Sequence, residues 1–160
     1  MRFGKELTMG FFLLSCSVKA NTIIISRMNT PELVGACGYV DSNYPNIYLP
    51  DRLWQVHFSE NTNVKYIWYY LNCKNVRNYY GSLAVGTSSS MQNISQDQFY
   101  RTYATFPNVM EQEEIINYLD EKVSNIDSLI VQKEKMLTEL DSYKKSLIYE
   151  YVTGKKEVPA

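Results

Sequence analysis

The stretch Met110–Val152, MEQEEIINYLDEKVSNIDSLIVQKEKMLTELDSYKKSLIYEYV, decides the fold, and it contains neither Gly nor Pro. With Ile116 as position a of a heptad, the a and d positions run Ile116, Leu119, Val123, Ile126, Ile130, Lys133, Leu137, Leu140, Lys144, Leu147, Tyr151. The alternating step holds over about five heptads, which is the pattern of a coiled-coil seam. Position g is also mostly apolar (Ile115, Leu129, Met136, Tyr143). The stripe is therefore wider than a two-stranded seam needs and suits a helix packed on one partner helix and against a globular body. Asn108-x-x-Glu111 is close to a capping box, and Thr153-Gly154-Lys155-Lys156 supplies a glycine stop with basic residues. At 1.5 Å per residue the helix is roughly 60 Å long. No domain this small has a core of that length, so the helix is expected to project and to need a partner.

Two lysines, Lys133 and Lys144, interrupt the seam. They read either as snorkelling stems at a partly wet seam or as residues that set register and partner, since a buried ammonium is tolerated only where an acceptor faces it. Position e carries Asp120, Asp127, Glu134 and Asp141, which favours a basic partner surface over a parallel copy. Outside the helix the charge reverses. Residues 1–108 hold nine Lys/Arg against six Asp/Glu, and residues 109–152 hold five against ten. A mildly basic head on an acidic stalk follows, too weakly basic to indicate nucleic acid by itself.

The remaining chain forms a small core without much to spare. Residues 1–21 remain unassigned. Gly10–Leu14 after Arg2 and Lys5, ahead of Val18-Lys19-Ala20, imitates a signal peptide cut after Ala20, but the apolar run is short and Glu6 sits in the basic region. No stretch reaches the roughly 18–20 apolar residues of a membrane span. Cys16, Cys37 and Cys73 stand in no metal spacing and suit free thiols in a reducing cytoplasm.

Thr22–Ser26 is a β-branched run, read as a buried strand. Leu33–Tyr39 carries small residues (Gly35, Ala36, Gly38) that allow close backbone approach, and Asp41–Pro45 is turn chemistry. From Arg52 the pattern alternates, with Trp54, Val56 and Phe58 on one face and Leu53, Gln55 and His57 on the other, as in a half-buried strand. The single histidine has no carboxylate or cysteine at ligand spacing, so neither metal nor catalysis is read there. Val64–Ala84 changes to helical spacing in two pieces broken at Asn72-Cys73. The aromatics crowded into 66–80 read as packing faces rather than a base-stacking platform.

Residues 86–95 are small and polar. They read as a flexible loop or as one that contacts phosphates or base edges, and they lack the ending of a nucleotide-binding loop. Phe99–Phe106 alternates and is expected to be the last strand. No nucleophile–base set, carboxylate pair or metal spacing occurs, so the chain is not read as an enzyme.

This order of pieces resembles the specificity subunit of type I restriction–modification enzymes, over residues 22–157. The residues that carry it are Ile24-Ile25-Ser26-Arg27-Met28-Asn29-Thr30 with Leu33-Val34-Gly35; Asp51-Arg52-Leu53-Trp54; Tyr66–Asn72; Gly86-Thr87-Ser88 ahead of Asn93-Ile94-Ser95; Glu111-Gln112 before Ile115–Lys122; and Tyr143–Lys155. The resemblance implies an α+β fold, a small mixed target-recognition domain (22–107, partial) followed by one long coiled-coil-forming helix (108–153) and a tail (154–160). It implies double-stranded DNA as ligand, with each recognition domain reading half of a split target. It further implies modification subunits docked on helices that pair antiparallel, and a motor subunit in the full complex. S-adenosylmethionine, ATP and Mg belong to those partners, and no cofactor is expected in this chain. Full subunits have two recognition domains and two such helices, with further strands ahead of the Ile-Ile-Ser-Arg segment. The resemblance accordingly leads one to expect either a half-size subunit that dimerises or a truncated remnant. Candidate DNA contacts are Arg27, Asn29, Thr87, Ser88, Ser89, Gln92 and Asn93, Arg27 standing equally well as a clamp within the fold. The rival readings are a coiled-coil adaptor without a DNA role and a secreted protein.

Overall fold

The computed structural model describes residues 5–6, 9–12, 17–59, 62–88, 91–104 and 106–159. They divide into two compact units, Met1–Ile116 and Asn117–Ala160. The first is a head of short strands and three helices. Its main sheet is antiparallel, in the order β2 (Met9–Phe12), β8 (Leu53–Phe58), β4 (Thr22–Ser26), β6 (Cys37–Val40). The β-branched run forms β4 as expected, and it is buried because both its neighbours are strands. Ile23 and Ile25 face Val56 and Trp54 across the β4–β8 ladder, and all four are core residues.

Against this sheet lie α1 (Val64–Leu71) and α2 (Lys74–Leu83), the two helical pieces expected from spacing. Asn63 caps α1, its Oδ1 accepting from the Tyr66 N–H at 3.3 Å. Val64, Ile67, Leu71, Val76 and Tyr80 are the faces they bury. The crowded aromatics are indeed packing residues: Tyr80 stacks on Phe99 at 5.7 Å, Tyr66 meets Phe106 at 6.2 Å, and Trp68 donates from Nε1 to the Cys37 carbonyl at 3.3 Å. Burial pushes the Cys37 thiol up to about 12. Cys37 and Cys73 are free thiols, and Cys16 lies outside the described residues.

Three expectations need correction. The unassigned beginning of the chain supplies strands to the head. Met9–Phe12 pairs with Gln55–Phe58 at the edge of the main sheet, β1 (Lys5–Glu6) pairs with β11 (Tyr103–Ala104), and β3 (Ser17–Val18) pairs with β7 (Tyr44–Tyr48). An apolar edge strand behind two basic residues has the composition of a signal peptide, which is why pattern alone did not separate them. Secondly, β8 is not half-exposed. Gln55 on its second face is buried, its Oε1 accepting from the Lys19 N–H at 3.0 Å and its Nε2 lying 3.1 Å from His57 Nε2. Nε2 of an amide donates, so the imidazole accepts there and is neutral. Burial, and then Lys19, hold the His57 pKa below its ordinary value.

Thirdly, Phe99 does not begin a strand. Ser95-x-x-Gln98 is a capping box opening α3 (Gln96–Tyr100), and among the described residues of the expected run only Tyr103–Ala104 is a strand. Ser95 Oγ accepts from the Gln98 N–H at 3.2 Å, and Gln98 Oε1 accepts from the Ser95 N–H at 2.8 Å. This turn seats Phe99 in the core, fully buried. Ser95→Ala is expected to cost about 1 kcal/mol of head stability, read as a lower urea midpoint with unchanged slope; an unmoved midpoint would deny the box its role.

The long helix, α4, spans Val109–Val152, 44 residues or ~66 Å. Asn108 Oδ1 accepts from the Glu111 N–H at 2.9 Å at its start. At its end Gly154, at φ +69°, forms a Schellman motif: Lys155 N–H donates to the Glu150 carbonyl at 2.8 Å and Gly154 N–H to that of Tyr151 at 3.3 Å. The first two turns belong to the head unit, where Gln112 and Ile116 are buried.

Candidate nucleic-acid interface

The candidate DNA contacts come from segments more than fifty residues apart, and a second sheet brings them together. It has three antiparallel strands in the order β5 (Met28–Asn29), β10 (Met91–Asn93), β9 (Val85–Ser88). Gln92 pairs with Asn29 and Asn93 with Met28; Met91 pairs with Ser88 and Asn93 with Val85, with a bulge between Met91 and Asn93. The small polar run is therefore mostly strand rather than flexible loop. Its backbone groups are tied into a ladder, while no residue in it follows a period-2 apolar pattern that sequence inspection detects. Thr87 and Ser88 lie on β9 by backbone position, and Ser89 lies outside the described residues.

What holds this sheet to the head is buried and backbone-mediated. Ile94, fully buried, follows β10 and donates its N–H to the Arg27 carbonyl at 3.0 Å. Arg27 N–H in turn donates to the Arg52 carbonyl at 3.0 Å. Arg27 thus stands at the junction of the two sheets, its guanidinium 5.7 Å from the centroid of the Trp54 ring. Trp54 is the residue that sequence reasoning missed here; the alternation placed it in the core but gave no sign of an arginine above it.

The candidates differ in what their side chains are free to do. Asn29 is engaged within the fold: Nδ2 donates to Ser26 Oγ at 3.0 Å and Oδ1 accepts from the Thr30 N–H at 2.8 Å, closing the turn that follows β5. Arg27 Nε, Gln92 Oε1 and Asn93 Oδ1 are buried with no hydrogen-bond partner among the described residues. An open pocket of about 280 Å³ is lined by residues including Met28, Asn29, Arg52, Leu53 and Met91, and by none of those three. Arg77, by contrast, is a clamp, donating to the Val34 and Glu32 carbonyls at 3.0 Å each.

The candidate pairing seam divides at the unit boundary. Ile116 is buried within the head unit. Of the rest, Leu119 and Leu147 are half-buried, and Val123, Ile126, Ile130, Leu137, Leu140 and Tyr151 are exposed. Gln112, also missed, is buried in the first turn of α4, where Nε2 donates to the Pro107 carbonyl at 2.9 Å. Among the described residues no three His, Cys, Asp or Glu side chains are grouped to hold a metal ion, and no helix is long and apolar enough to cross a membrane.

No known family description and no curated protein matches the sequence. Solved structures do. A chain from a study of complex assembly and conformational transition in the type I R-M system superposes with a TM-score of 0.65 at 15% identity, over 86% of this chain and 32% of that one. The type I restriction-modification system S subunit from M. genitalium gives 0.55 at 24% identity, over 76% and 31%. The chain spans about a third of the length of each. It therefore has the α+β fold of such subunits, small antiparallel sheets and short helices followed by one long C-terminal helix.

Proposed function

We propose that this chain is a non-catalytic, cytoplasmic DNA-specificity component of a type I restriction–modification assembly. Its head reads one half of a split duplex target. Its helix pairs with a second copy or a second specificity chain and docks the modification subunits, while a motor subunit completes the restriction complex. Methyl transfer and ATP-driven cleavage, with S-adenosylmethionine, ATP and Mg, belong to those partners. The observation that carries this reading is that one known fold accounts for head and helix together, over 86% of the chain.

The seam gives the pairing a direction. In a parallel pair Lys133 meets Lys133 and Lys144 meets Lys144, like charges face to face. In an antiparallel pair a layers stack on d layers of the partner. Starting from Leu119 against Tyr151, Lys144 shares a layer with Ile126 and Lys133 with Leu137. The neighbouring e positions, Asp127 and Glu134, then supply the carboxylates that the two ammonium groups need.

The test is a methylome. The chain is co-expressed with its source's modification subunit in a methylation-free host, and modified adenines are mapped by single-molecule sequencing. A split, palindromic motif is expected. Co-purification without any new methylation would instead support the rival reading, an adaptor whose helix docks but whose head does not read DNA.

A further inference from the structure

Four buried side-chain polar atoms lack a partner among the described residues, and three of them, Arg27 Nε, Gln92 Oε1 and Asn93 Oδ1, belong to the junction and sheet just described. The fourth, Gln112 Oε1, is on an amide whose nitrogen is already bonded. A buried donor or acceptor left unmade costs a fold more than an ordinary hydrogen bond contributes. Nothing in the sheet requires polar residues at positions 92 and 93, since β10 is held by its ladders and by Ile94 in the core. Asn29, on the neighbouring strand, shows what a structural amide looks like here, with both ends bonded. Gln92 and Asn93 are neighbours on β10, and Arg27 immediately precedes β5, the strand paired with it; unmet polar groups on adjoining segments call for a partner from outside the fold.

We propose that Arg27, Gln92 and Asn93 are the specificity-determining set of the head, left unpaired in the free chain because their partners are the edges of DNA bases. This rests on the DNA-reading function proposed above. Phosphate does not complete the set. It presents acceptors only, which suits Arg27 but leaves the carbonyl oxygens of Gln92 and Asn93 unmet. A base edge in the major groove presents exocyclic amines beside ring nitrogens and carbonyls, so it brings both donors and acceptors. The three residues are half-buried, and the terminal amide torsions of Asn and Gln are broad. Rotation about that torsion therefore lets each amide meet a partner without moving the strand. Arg27 is fixed at its backbone by two hydrogen bonds and at its guanidinium by Trp54, which pre-orients it for one point on a groove.

The experiment compares Gln92→Met, Asn93→Leu and Arg27→Lys with the wild type, as full chains assembled with the modification subunits. Each is offered a randomised duplex pool, the enriched DNA is sequenced, and binding to the wild-type site is followed against salt. Thermal unfolding of each chain is recorded in parallel. The first two variants are expected to unfold at the wild-type temperature or above it, because they remove an unmet group. Each of the three is expected to lose discrimination at particular base pairs, with about a tenfold or greater loss on the wild-type site, and to keep the wild-type salt slope. Unfolding well below wild type would show Gln92 and Asn93 to be structural. A uniform loss across sequences with a shallower salt slope would make Arg27 a phosphate contact. Variants that enrich the wild-type motif unchanged overturn this proposal alone; a wild-type assembly that enriches no sequence overturns the DNA reading and this proposal with it.

Discussion

Gly35→Ala is expected to destabilise the head by about 2–5 kcal/mol, a fall of roughly 10–20 °C in its unfolding temperature. Gly35 closes the turn between β4 and β6, its N–H donating to the Ser26 carbonyl at 2.7 Å. Two costs coincide there. At φ +73° an L-residue is in the left-handed region, and a Cβ would stand 2.9 Å from Tyr80 Cδ2 and 3.0 Å from Tyr80 Cβ. Tyr80 has no room to retreat. It is fully buried, stacked on Phe99 and bonded through its hydroxyl to Thr102 Oγ1 at 2.7 Å. Gly38, three residues on and in β6 itself, has nothing within 4 Å of the same added atom. Gly38→Ala is accordingly the control and is expected to change stability by no more than about 0.5 kcal/mol. Both tryptophans of the chain lie in the head, so fluorescence reports its unfolding apart from the helix. Equal effects at the two glycines would mean that the turn relaxes and that Tyr80 does not set the limit.

The second large effect is on association. Ile130→Asp combined with Leu137→Asp places two carboxylates in the middle of the seam. Both positions are exposed in the single chain, at 48% and 66%, and both lie outside the head unit. The head is therefore expected to unfold at the wild-type temperature. In a helix pair each position is a core layer, where losing an aliphatic side chain costs ~2–5 kcal/mol before the burial of charge is added. Association is expected to weaken by at least about a thousandfold, read by sedimentation as a shift from dimer to monomer. Retained dimer would show that the copies meet through another surface, and a wild type that is already monomeric would leave the seam to a second specificity chain.

Both substitutions act on features of unequal visibility in the sequence. The helix was legible because one period ran unbroken from Ile116 to Tyr151, with a cap and a glycine stop at its ends. The β4 strand and the two short helices were legible for the same reason, since each buries one face of a regular repeat. Gly35 was half legible: the cluster Gly35, Ala36, Gly38 announced close approach, but only the fold shows that Tyr80 is what approaches and that Gly38 is under no such demand. Elsewhere periodicity misled. The alternation of Phe99–Phe106 coexists with a capping box at Ser95, and the box's two hydrogen bonds prevail locally over the pattern. The β9–β10 pair has no period to read, because a bulge interrupts it, and Val85 and Gly86 are exposed and Met91–Asn93 half-buried rather than alternating. Of the candidate site, the types and neighbourhood of Arg27, Gln92 and Asn93 were legible, whereas their unmet polar atoms depend on the packing around a strand pair more than sixty residues apart in sequence, and the engagement of Asn29 on a local turn with Ser26 and Thr30.

The pairing of Lys5–Glu6 with Tyr103–Ala104 also sets a schedule. During synthesis the head cannot close until its last strand has been made, and a loop of that length closes slowly, on the scale of milliseconds to seconds for topologies rich in distant pairings. The 44 residues of α4, which come later, take roughly 2–9 s to translate at ordinary rates. The long helix thus doubles as a delay line. While it is still being built, its own ribosome holds the chain, and the head has time to find the distant partners of its first strands.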